Sequence, residues 1–543
     1  MSDQLKELLA VARDRFGYDE LRPGQADAMT AVLAGRDTLA VMPTGAGKSA
    51  IYQIPAFVLN GPTVVVSPLI SLQRDQLAGL EGVSEPGTAA EANSSMGRKA
   101  RRNALERMGA GEVEFLFLAP EQLRRDDVRK ALANAKPSLF VVDEAHCLSG
   151  WGHDFRPDYL LLDSVIESLG HPTVLALTAT AAPPVRMEII ERLGMRNPEV
   201  VVRGFDRPNI HLAVEQFHEE ADKERALLER CVETAGPGIV YVATRKTAES
   251  VAEALGERGL RSAPYHAGMA AKRRHEVHER FLGDELEVVV ATTAFGMGID
   301  KPNVRFVFHH DVSDSVDSYY QEIGRSGRDG EPAQARLFFR SEDIGLRRFF
   351  ASGGDLGRDT LLGVAVAVFR RGEDCDPQEI QEVTGLSQSR LTSALSRLQE
   401  AGAISVDGSG RPSPVPGADP VEAADSAAAA EESRERVDQS RVEMIRSYAE
   451  SRSCRREYLL NYFGEQVGGS CGNCDCCEKS GSDGLDERAV PFAPDTRVTH
   501  RDWGEGLLVR ADADTITVLF DDVGYKTLSL RLLLENDLLT SVQ

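Results

Sequence analysis

MPTGAGKS, residues 42–49, follows a β-branched run and precedes a helical stretch. It fits the phosphate-loop pattern G-x-x-x-x-G-K-[ST], with Met42 in place of the first glycine. In such a loop, the backbone N–H groups and the following helix N-terminus bind phosphate groups. Lys48 reaches the β- and γ-phosphates, and Ser49 ligates Mg²⁺. The pattern therefore predicts a bound nucleoside triphosphate. The other predicted loop contacts are Thr44, Gly45 and Gly47.

A second motif, VVDEAH at residues 141–146, strengthens the prediction of a nucleotide site. Asp143 ends a hydrophobic run, where a carboxylate can hold Mg²⁺, and Glu144 beside it can accept a proton from the attacking water. An isolated Asp-Glu pair at the end of a strand is usually a surface feature. Downstream of a Lys48-type loop, the pair instead predicts hydrolysis of the triphosphate.

Short β-branched runs alternate with helical stretches along the first part of the chain, for example TLAVMP, TVVVSP and SLFVVDE. This alternation is typical of a parallel sheet covered by helices on both faces. Ligands bind such sheets at the carboxyl ends of the strands. The pattern restarts near Gly238. We therefore predict an α/β protein with two lobes, at residues 1–208 and 209–348.

The chain changes character after the second lobe. Residues 355–410 combine helical runs, a turn at Gly385 and a helix that Ser387 can cap. They predict a winged-helix domain, with another small three-helix domain as the alternative. Residues 411–438 are rich in Pro, Ala, Ser and acidic residues and predict an acidic flexible linker. Residues 493–540 alternate short strands with Gly turns and predict a small SH3/Tudor-like β-barrel.

The bulk properties of the 543 residues favour a cytoplasmic protein. No run approaches the roughly 18–20 apolar residues of a membrane span, and the N-terminus lacks the apolar segment of a signal peptide. No membrane partner is therefore expected. The net charge of −23 determines the electrostatic potential far from the protein, and it does not exclude a local groove that binds nucleic acid. Two basic clusters are either solvated helix faces or parts of such a groove. They are Arg98, Lys99, Arg101 and Arg102, and Lys272, Arg273 and Arg274.

Five of the eight cysteines are bunched between residues 454 and 477. In a cytosolic chain, bunched cysteines indicate a metal site rather than disulfides. Cys471, Cys474 and Cys477 have the spacing C-x₂-C-x₂-C, and four thiolates bind Zn²⁺ tetrahedrally. A ligand set that uses Cys476 in place of Cys477 is one alternative. An iron–sulfur cluster is another, because it also takes four cysteines.

The string DEAHCLSGWGHDFRPDY, residues 143–159, resembles the RecQ helicases, in which an aromatic-rich loop follows a DEAH box at once. The resemblance covers about residues 8–345 and resumes at about residues 440–480. It implies two RecA-like P-loop motor lobes, with ATP, Mg²⁺ and Zn²⁺ as cofactors. The implied activity is 3′-to-5′ unwinding of DNA in recombination, replication and repair. The implied partners are single-stranded tails, forks and junctions in the nucleoid.

The resemblance also assigns residues to the nucleotide. LRPGQ, residues 21–25, resembles the adenine-reading motif, in which Gln25 bonds the adenine edge, Arg22 assists and Tyr18 stacks on the base. YYQEIGRSGRDG, residues 319–330, resembles the last motor motif. Its arginine finger is implied to be Arg328, and a γ-phosphate or coupling role falls to Arg325. The third side chain implied to face the triphosphate is Gln321.

A further set of residues is implied to couple DNA to hydrolysis. Trp151, Phe155 and Arg156 match the aromatic-rich loop, where base stacking is worth about 1–3 kcal/mol per base. Core packing is the alternative for the two aromatic residues. SPLISLQRDQ, residues 67–76, resembles the DNA-backbone contacts of the first lobe, and TAT, residues 178–180, resembles the motif that links hydrolysis to lobe movement. The remaining members of the set are His146, His153, Ser67, Thr178, Thr180 and Thr292.

The segments CRREYLLNYFGE and CGNCDCC, within residues 439–482, resemble the RecQ zinc module. The resemblance implies Cys454, Cys471, Cys474 and Cys477 as the ligands and leaves Cys476 spare. The domain order departs from the family, because the winged-helix pattern precedes the zinc module instead of following it. We expect this early domain to substitute in fork binding. The C-terminal barrel is similar to the tail of UvrD-type helicases, which implies a protein partner.

Two other functions stay open on the sequence alone. One is a DNA-dependent ATPase or translocase that remodels complexes or recruits partners without robust unwinding. The other is an RNA helicase, against which the aromatic-rich loop and the zinc module argue.

Overall fold

The computed structural model describes residues 3–43, 45–68, 70–83, 87–93, 96–149, 157–296, 301–351, 356–372, 375–406, 411–465, 470–480, 496–511, 515–521, 523–535 and 538–541. Over these residues the chain forms two parallel α/β lobes, a winged-helix domain, a helical module with clustered cysteines and a C-terminal β-sheet. The predicted fold class is confirmed. None of the described helices is long and apolar enough to cross a membrane.

The first lobe is built on buried β-branched and aliphatic strands. Its strands are β1 (Thr38–Val41), β2 (Thr63–Val66), β3 (Ala89–Ala92), β4 (Phe115–Leu118), β5 (Leu139–Val142), β6 (Thr173–Thr178) and β7 (Glu199–Val202). Its helices are α1 (Asp3–Phe16), α2 (Gln25–Leu33), α3 (Ala50–Ala56), α4 (Ile70–Glu81), α5 (Arg98–Gly109), α6 (Asp126–Ala135), α7 (Leu162–Ser168) and α8 (Pro183–Arg192). Short 3₁₀ turns are Pro120–Arg124, Ala145–Leu148 and Pro157–Leu161.

The strand order β3-β4-β2-β5-β6-β1-β7 decides where the functional residues meet. All pairings in this sheet are parallel. Strand β6 lies between β1 and β5. The phosphate loop after β1, the DEAH sequence after β5 and Thr178 at the end of β6 therefore share one edge of the sheet.

The second lobe repeats this architecture with a six-stranded parallel sheet. Its strands are β8 (Ile210–Gln216), β9 (Gly238–Tyr241), β10 (Ser262–Tyr265), β11 (Val288–Ala291), β12 (Phe306–His309) and β13 (Ala333–Phe339). Its helices are α9 (Glu220–Glu233), α10 (Arg245–Glu257), α11 (Ala271–Leu282), α12 (Val316–Ile323) and α13 (Asp343–Ala351). The order is β10-β11-β9-β12-β13-β8. The last motor motif begins on helix α12 and continues into the loop that follows it.

The segment after the second lobe has the elements of a winged helix. Its elements are α14 (Gly357–Arg371), α15 (Pro377–Thr384), α16 (Gln388–Glu400), β14 (Ile404–Val406) and β15 (Pro412–Pro414). Gly385 ends α15 in a left-handed conformation, with a φ of 66°, and the Ser387 side chain caps α16. The two short strands pair antiparallel and form the wing.

The acidic stretch 411–438 differs from the predicted flexible linker. Most of it belongs to one helix, α17 (Pro420–Glu450), whose N-terminus is capped by Asp419. Ala423, Ala424 and Ala427 are buried in the core of the winged-helix domain. The linker prediction is therefore wrong over the helical part, because alanine has high helix propensity and its small side chain allows close packing. Two ion pairs also bind α17 to α16, Arg397–Glu431 and Arg434–Glu400.

The zinc-module helices and the C-terminal sheet complete the fold. The helices are α18 (Arg455–Tyr462) and α19 (Asp475–Ser480). The C-terminal elements are β16 (Arg497–His500), β17 (Gly504–Ala511), β18 (Thr515–Phe520), β19 (Gly524–Ser529), α20 (Leu530–Glu535) and β20 (Leu539–Ser541). The strand order is β19-β18-β17-β16-β20, all antiparallel. We call residues 496–541 the C-terminal β-module; its strands support the predicted barrel.

Candidate functional site

The phosphate loop joins β1 to α3. Gly45 and Gly47 adopt left-handed backbone angles, with φ of 85° and 76°, a conformation that favours glycine. The Lys48 Nζ lies against the loop and donates to the Met42 carbonyl oxygen at 3.1 Å. Burial lowers the pKa of Lys48, while the two carboxylates of the DEAH sequence act in the opposite direction. Thr44 lies outside the described residues.

Asp143 follows β5 and is only 5% exposed. Its Oδ2 accepts hydrogen bonds from Ser67 Oγ at 3.3 Å and Gln76 Nε2 at 3.4 Å. Burial and the adjacent charge of Glu144 raise the pKa of Asp143 to about 6. A divalent cation would stabilise the ionised form, and the oxygens of Asp143 and Ser49 are the ligands that Mg²⁺ prefers. These residues therefore fit Mg²⁺.

A chain of short contacts leads from Glu144 to the end of β6. Glu144 Oε2 lies 3.3 Å from His146 Nδ1, and the same nitrogen lies 2.9 Å from Thr178 Oγ1. The Thr178 hydroxyl donates to the Thr180 carbonyl oxygen at 3.0 Å. His146, Thr178 and Thr180 are all buried. This geometry suits the coupling role implied for the three residues, because a shift at Glu144 moves a packed network.

The two arginines of the last motor motif, Arg325 and Arg328, have different surroundings. A Cβ atom at Gly45 would lie 3.7 Å from Arg328 Cγ, so Arg328 reaches the phosphate loop across the cleft. Arg325 is 4% exposed and interacts with the Tyr241 hydroxyl inside the second lobe. Gln321 is half-buried on α12. Arg328 thus lies beside the phosphate loop and Arg325 inside the second lobe, and the roles implied for them stay predictions.

The adenine-motif residues adjoin the loop. Gln25 Nε2 donates to the carbonyl oxygens of Ala46 (3.1 Å) and Gly47 (2.9 Å), and its Oε1 accepts from the Arg22 backbone N–H at 2.8 Å. Tyr18 is 46% exposed, which leaves a ring face open for stacking. The adenine bond predicted for Gln25 stays a prediction, since both ends of its amide bond protein groups.

Two of the residues implied to couple DNA to hydrolysis lie in different lobes. Ser67 is fully buried and its hydroxyl donates to Asp143 Oδ2, so it contacts this carboxylate rather than the protein surface, and its coupling role stays a prediction. Thr292 is half-buried just after β11, in the second lobe. The predictions for the aromatic-rich loop fall outside the described residues. They concern Trp151, His153, Phe155 and Arg156.

Three supporting residues were missed by the sequence reasoning. Gln76 holds Asp143, the Tyr159 hydroxyl donates to the Asp143 carbonyl oxygen at 3.1 Å, and Tyr241 interacts with Arg325. Gln76 and Tyr159 stand at the ends of motifs already recognised, which is the only signal the sequence offers. Tyr241 is the last residue of the buried strand β9 and begins the sequence YVATRKTAE, residues 241–249, which resembles a motif of the second motor lobe.

Four cysteines converge at the start of α18 and around α19. The sulfur atoms of Cys454, Cys471, Cys474 and Cys477 all lie within 4.8 Å of one another. Hydrogen bonding to Cys454 and burial raise the pKa of Cys474 to about 12. Crowded thiols of this kind become thiolates only with a cation, so the cluster fits Zn²⁺. Cys476 instead points toward the Ser451 carbonyl oxygen, at 3.9 Å.

Serine substitutions separate the two candidate ligand sets. Cys454→Ser should release the metal and lower the melting temperature, because structural zinc supplies on the order of 10 kcal/mol of binding free energy to small modules. Cys476→Ser should keep both the metal and the melting temperature of the parent. Zinc content and thermal unfolding measure this. Metal retained in Cys477→Ser but lost in Cys476→Ser would contradict the assignment.

Family models match three parts of the chain: DEAD/DEAH box helicase at residues 22–188, helicase conserved C-terminal domain at residues 222–330, and RecQ zinc-binding at residues 421–478. The probable ATP-dependent DNA helicase RecS of Bacillus subtilis (strain 168) is 35% identical over 476 residues, which are 86% of this chain and 90% of RecS. The chain belongs to the RecQ family of helicases. The zinc-binding match favours Zn²⁺ over an iron–sulfur cluster in this RecQ-family enzyme.

A second relative matches over a shorter stretch of the chain. The ATP-dependent DNA helicase RecQ of Bacillus subtilis (strain 168) is 42% identical over 338 residues, which are 62% of this chain and 56% of that protein. This RecQ-family chain therefore spans just over half of that relative. Among solved structures, the DUF1998 helicase MrfA bound to DNA has a TM-score of 0.53 at 17% identity, covering 78% of this chain and 60% of that one. This likeness supports the fold alone.

Proposed function

We propose that this chain is an ATP-dependent DNA helicase that moves 3′ to 5′ along one strand and separates the duplex. The observation that carries the proposal is the meeting of two lobes at one phosphate loop, with Lys48 from the first and Arg328 from the second. Relatives named ATP-dependent DNA helicases share both lobes. We place its work in recombination and repair of nucleoid DNA in the cytoplasm.

In the proposed cycle, Lys48 and the loop N–H groups bind the β- and γ-phosphates, and Asp143 and Ser49 hold Mg²⁺. Glu144 accepts the proton of the attacking water. Arg328 stabilises the charge on the transferred phosphoryl group from the opposite lobe. Because ATP contacts both lobes and its products lose one contact, binding favours closure of the cleft and hydrolysis favours opening.

The two basic clusters support a DNA track across both lobes. Each begins in the first turn of a helix that follows an edge strand, α5 after β3 and α11 after β10. Neither helix has an acidic residue in its first turn or a side-chain cap. Cations in a first turn are repelled by the partial positive charge of the helix N-terminus, and a bound polyanion would offset this repulsion. A DNA backbone supplies such a polyanion.

Charge reversal in the first cluster tests the track. Lys99→Glu should weaken binding of single-stranded DNA and reduce the slope of log affinity against log salt by about 0.7 for each lost phosphate contact. Lys130→Glu, on an exposed position of α6 in the same lobe, is the matched control and should bind as the parent does. Equal salt slopes for all three proteins would exclude contact between this helix and DNA.

Strand displacement on a forked DNA with a 3′ tail tests the proposed function. Separation of the strands with ATP, and none on a fork with only a 5′ tail, is the expected result. ATP hydrolysis stimulated by DNA without displacement would instead support the remodelling translocase. Stronger stimulation by single-stranded RNA than by DNA would support the RNA helicase.

We further propose that the winged-helix domain contacts the duplex arm of a fork. The exposed side of α16 carries Gln388, Arg390 and Thr392, and the exposed Arg411 directly precedes the wing strand β15. These are donors suited to phosphates and base edges. Removing the whole domain is a poor test, because α14 and α16 bury the alanines of α17.

A single charge change tests the winged helix without disturbing its core. Arg390→Glu should weaken fork binding several-fold and leave single-stranded-DNA-stimulated ATP hydrolysis unchanged. Arg370→Glu, at an exposed position of α14, is the matched control. Fluorescence anisotropy with forked and single-stranded DNA measures the difference. Identical fork affinities for both variants and the parent would remove this domain from the DNA-binding surface.

A further inference from the structure

A buried polar cluster joins the C-terminal β-module to the motor. Its members are Asp317 on α12, Arg441 on α17, Tyr462 on α18 and Tyr525 on β19, and each is less than 8% exposed. We call this set the seat cluster. It draws one residue from the helix on which the last motor motif begins, one each from α17 and α18, and one from the C-terminal β-module.

The contacts within the seat cluster are direct. The Tyr462 hydroxyl donates to Asp317 Oδ2, and the rings of Tyr462 and Tyr525 lie 5.9 Å apart between centroids. Arg441 forms an ion pair with Asp438 of its own helix at 3.3 Å. Although burial acts to lower it, the pKa of Arg441 is raised by the charge of Asp317. Asp317 is thus a buried carboxylate that accepts a hydrogen bond from one phenol and interacts electrostatically with one buried cation.

The C-terminal β-module is docked closely on the helix that carries Arg441. A Cβ atom at Gly524 would lie 2.6 Å from Ser440 Oγ, so the backbone of β19 reaches α17 only because this residue is glycine. Val509 and Leu519 are buried in the hydrophobic core that continues into both lobes. A tail that only recruits partners needs none of these contacts.

Helix α12 leads from the seat cluster to the loop that carries Arg328 beside the phosphate loop. Asp317 lies in its first turn, and the chain then carries Gln321, Arg325 and Arg328. The same helix packs its aromatic side chains on the zinc module, with ring centroids 4.8 Å apart for Tyr320 and Phe463. Removing a charge partner or admitting water at a buried carboxylate strongly weakens its local packing. Loss of the seat would therefore let α12 shift.

We propose that the C-terminal β-module is a working part of the motor, in which Tyr525 completes the seat of Asp317 and so holds α12 with Arg328 aimed at the bound ATP. Tyr525 and Asp317 are positioning residues, since neither reaches the nucleotide. The inference rests on the proposed ATP-driven function and adds a role for a module that the motor motifs do not include.

Substitution of Tyr525 in the full-length protein tests the proposal. Tyr525→Ala should lower kcat for single-stranded-DNA-stimulated ATP hydrolysis about ten- to a hundredfold, the size expected when a distant change misplaces a reacting group. The KM for ATP should change little, because Arg328 acts on the transition state. Tyr525→Phe keeps the ring in the seat and should restore most of kcat. Lys526→Ala, the next residue on β19, should match the parent.

A double substitution separates positioning from general destabilisation. In an Arg328→Ala background, Tyr525→Ala should cause no further loss of kcat, because its effect passes through Arg328. Tyr462→Phe, which removes the donor to Asp317 and keeps the ring, should also lower kcat and serves if Tyr525→Ala does not fold. The proposal would be overturned if Tyr525→Ala or Tyr462→Phe folded and kept the kcat of the parent. It would also be overturned if the losses of kcat from Tyr525→Ala and Arg328→Ala added in the double variant. If the parent hydrolysed ATP and Tyr525→Ala had the same kcat, the positioning role would be wrong and the proposed helicase function would be unaffected.

Discussion

Lys48→Ala is expected to lower kcat for ATP hydrolysis by about 10³-fold, the upper range for loss of one charge-stabilising donor. Lys48 is the cation of the phosphate loop, and its Nζ already lies against the loop carbonyl oxygens. Without it, the β- and γ-phosphates lose their main positive partner at the moment charge develops. Steady-state hydrolysis with saturating single-stranded DNA measures the loss.

Lys130→Ala, an exposed lysine on α6 of the same lobe, is the matched control and should hydrolyse ATP at the parent rate. The melting temperature of Lys48→Ala should stay near that of the parent, because the substitution also removes a cation that burial disfavours. Hydrolysis by Lys48→Ala at the parent rate would mean that the triphosphate binds elsewhere.

Arg328→Ala is expected to slow hydrolysis by about 10³–10⁵-fold, the range found for arginine fingers. Arg328 comes from the second lobe and lies beside Gly45 of the phosphate loop. Its guanidinium can therefore stabilise charge only when the two lobes face each other. Affinity for a non-hydrolysable ATP analogue should fall much less than kcat, since the interaction strengthens in the transition state.

Arg325→Ala is the informative comparison for Arg328→Ala. Arg325 is buried beside Tyr241, so its loss should lower the melting temperature as well as the rate. Arg328→Ala should lower the rate and leave the melting temperature unchanged. If Arg325→Ala hydrolysed ATP slowly and Arg328→Ala hydrolysed it at the parent rate, Arg325 would be the arginine finger instead of Arg328.

The parts of the site that bind phosphate could be predicted because their chemistry fixes both residue type and spacing. Lys48 and Asp143 follow buried strands, and parallel strands bring their carboxyl ends to one edge. Three of the predicted zinc ligands, Cys471, Cys474 and Cys477, show the short, regular spacing that tetrahedral thiolate sites use. Cys454 lies farther back in the chain, and only the resemblance to the RecQ zinc module implied it and the choice of Cys477 over Cys476.

Residues whose roles depend on distant neighbours could not be placed. Ser67 stands in a motif that resembles a DNA contact, but the adjacency of β2 and β5 turns it toward Asp143. The burial of Tyr525 requires α17 and α18, which lie far away in the sequence. Composition also misled over residues 420–438, because alanine and acidic residues occur both in disordered segments and in helices that pack through small side chains.

The affinity for ADP with and without aluminium fluoride, in the parent and in Arg328→Ala, tests most directly whether one triphosphate is held by both lobes. Aluminium fluoride with ADP imitates the transferred phosphoryl group, and titration calorimetry with Mg²⁺ present measures both affinities. We predict that fluoride tightens ADP binding at least a hundredfold in the parent, as transition-state analogues do, and that Arg328→Ala keeps its affinity for ADP but loses this gain. An equal gain in both proteins would show that Arg328 does not act on the bound nucleotide, and the two-lobe account would be wrong.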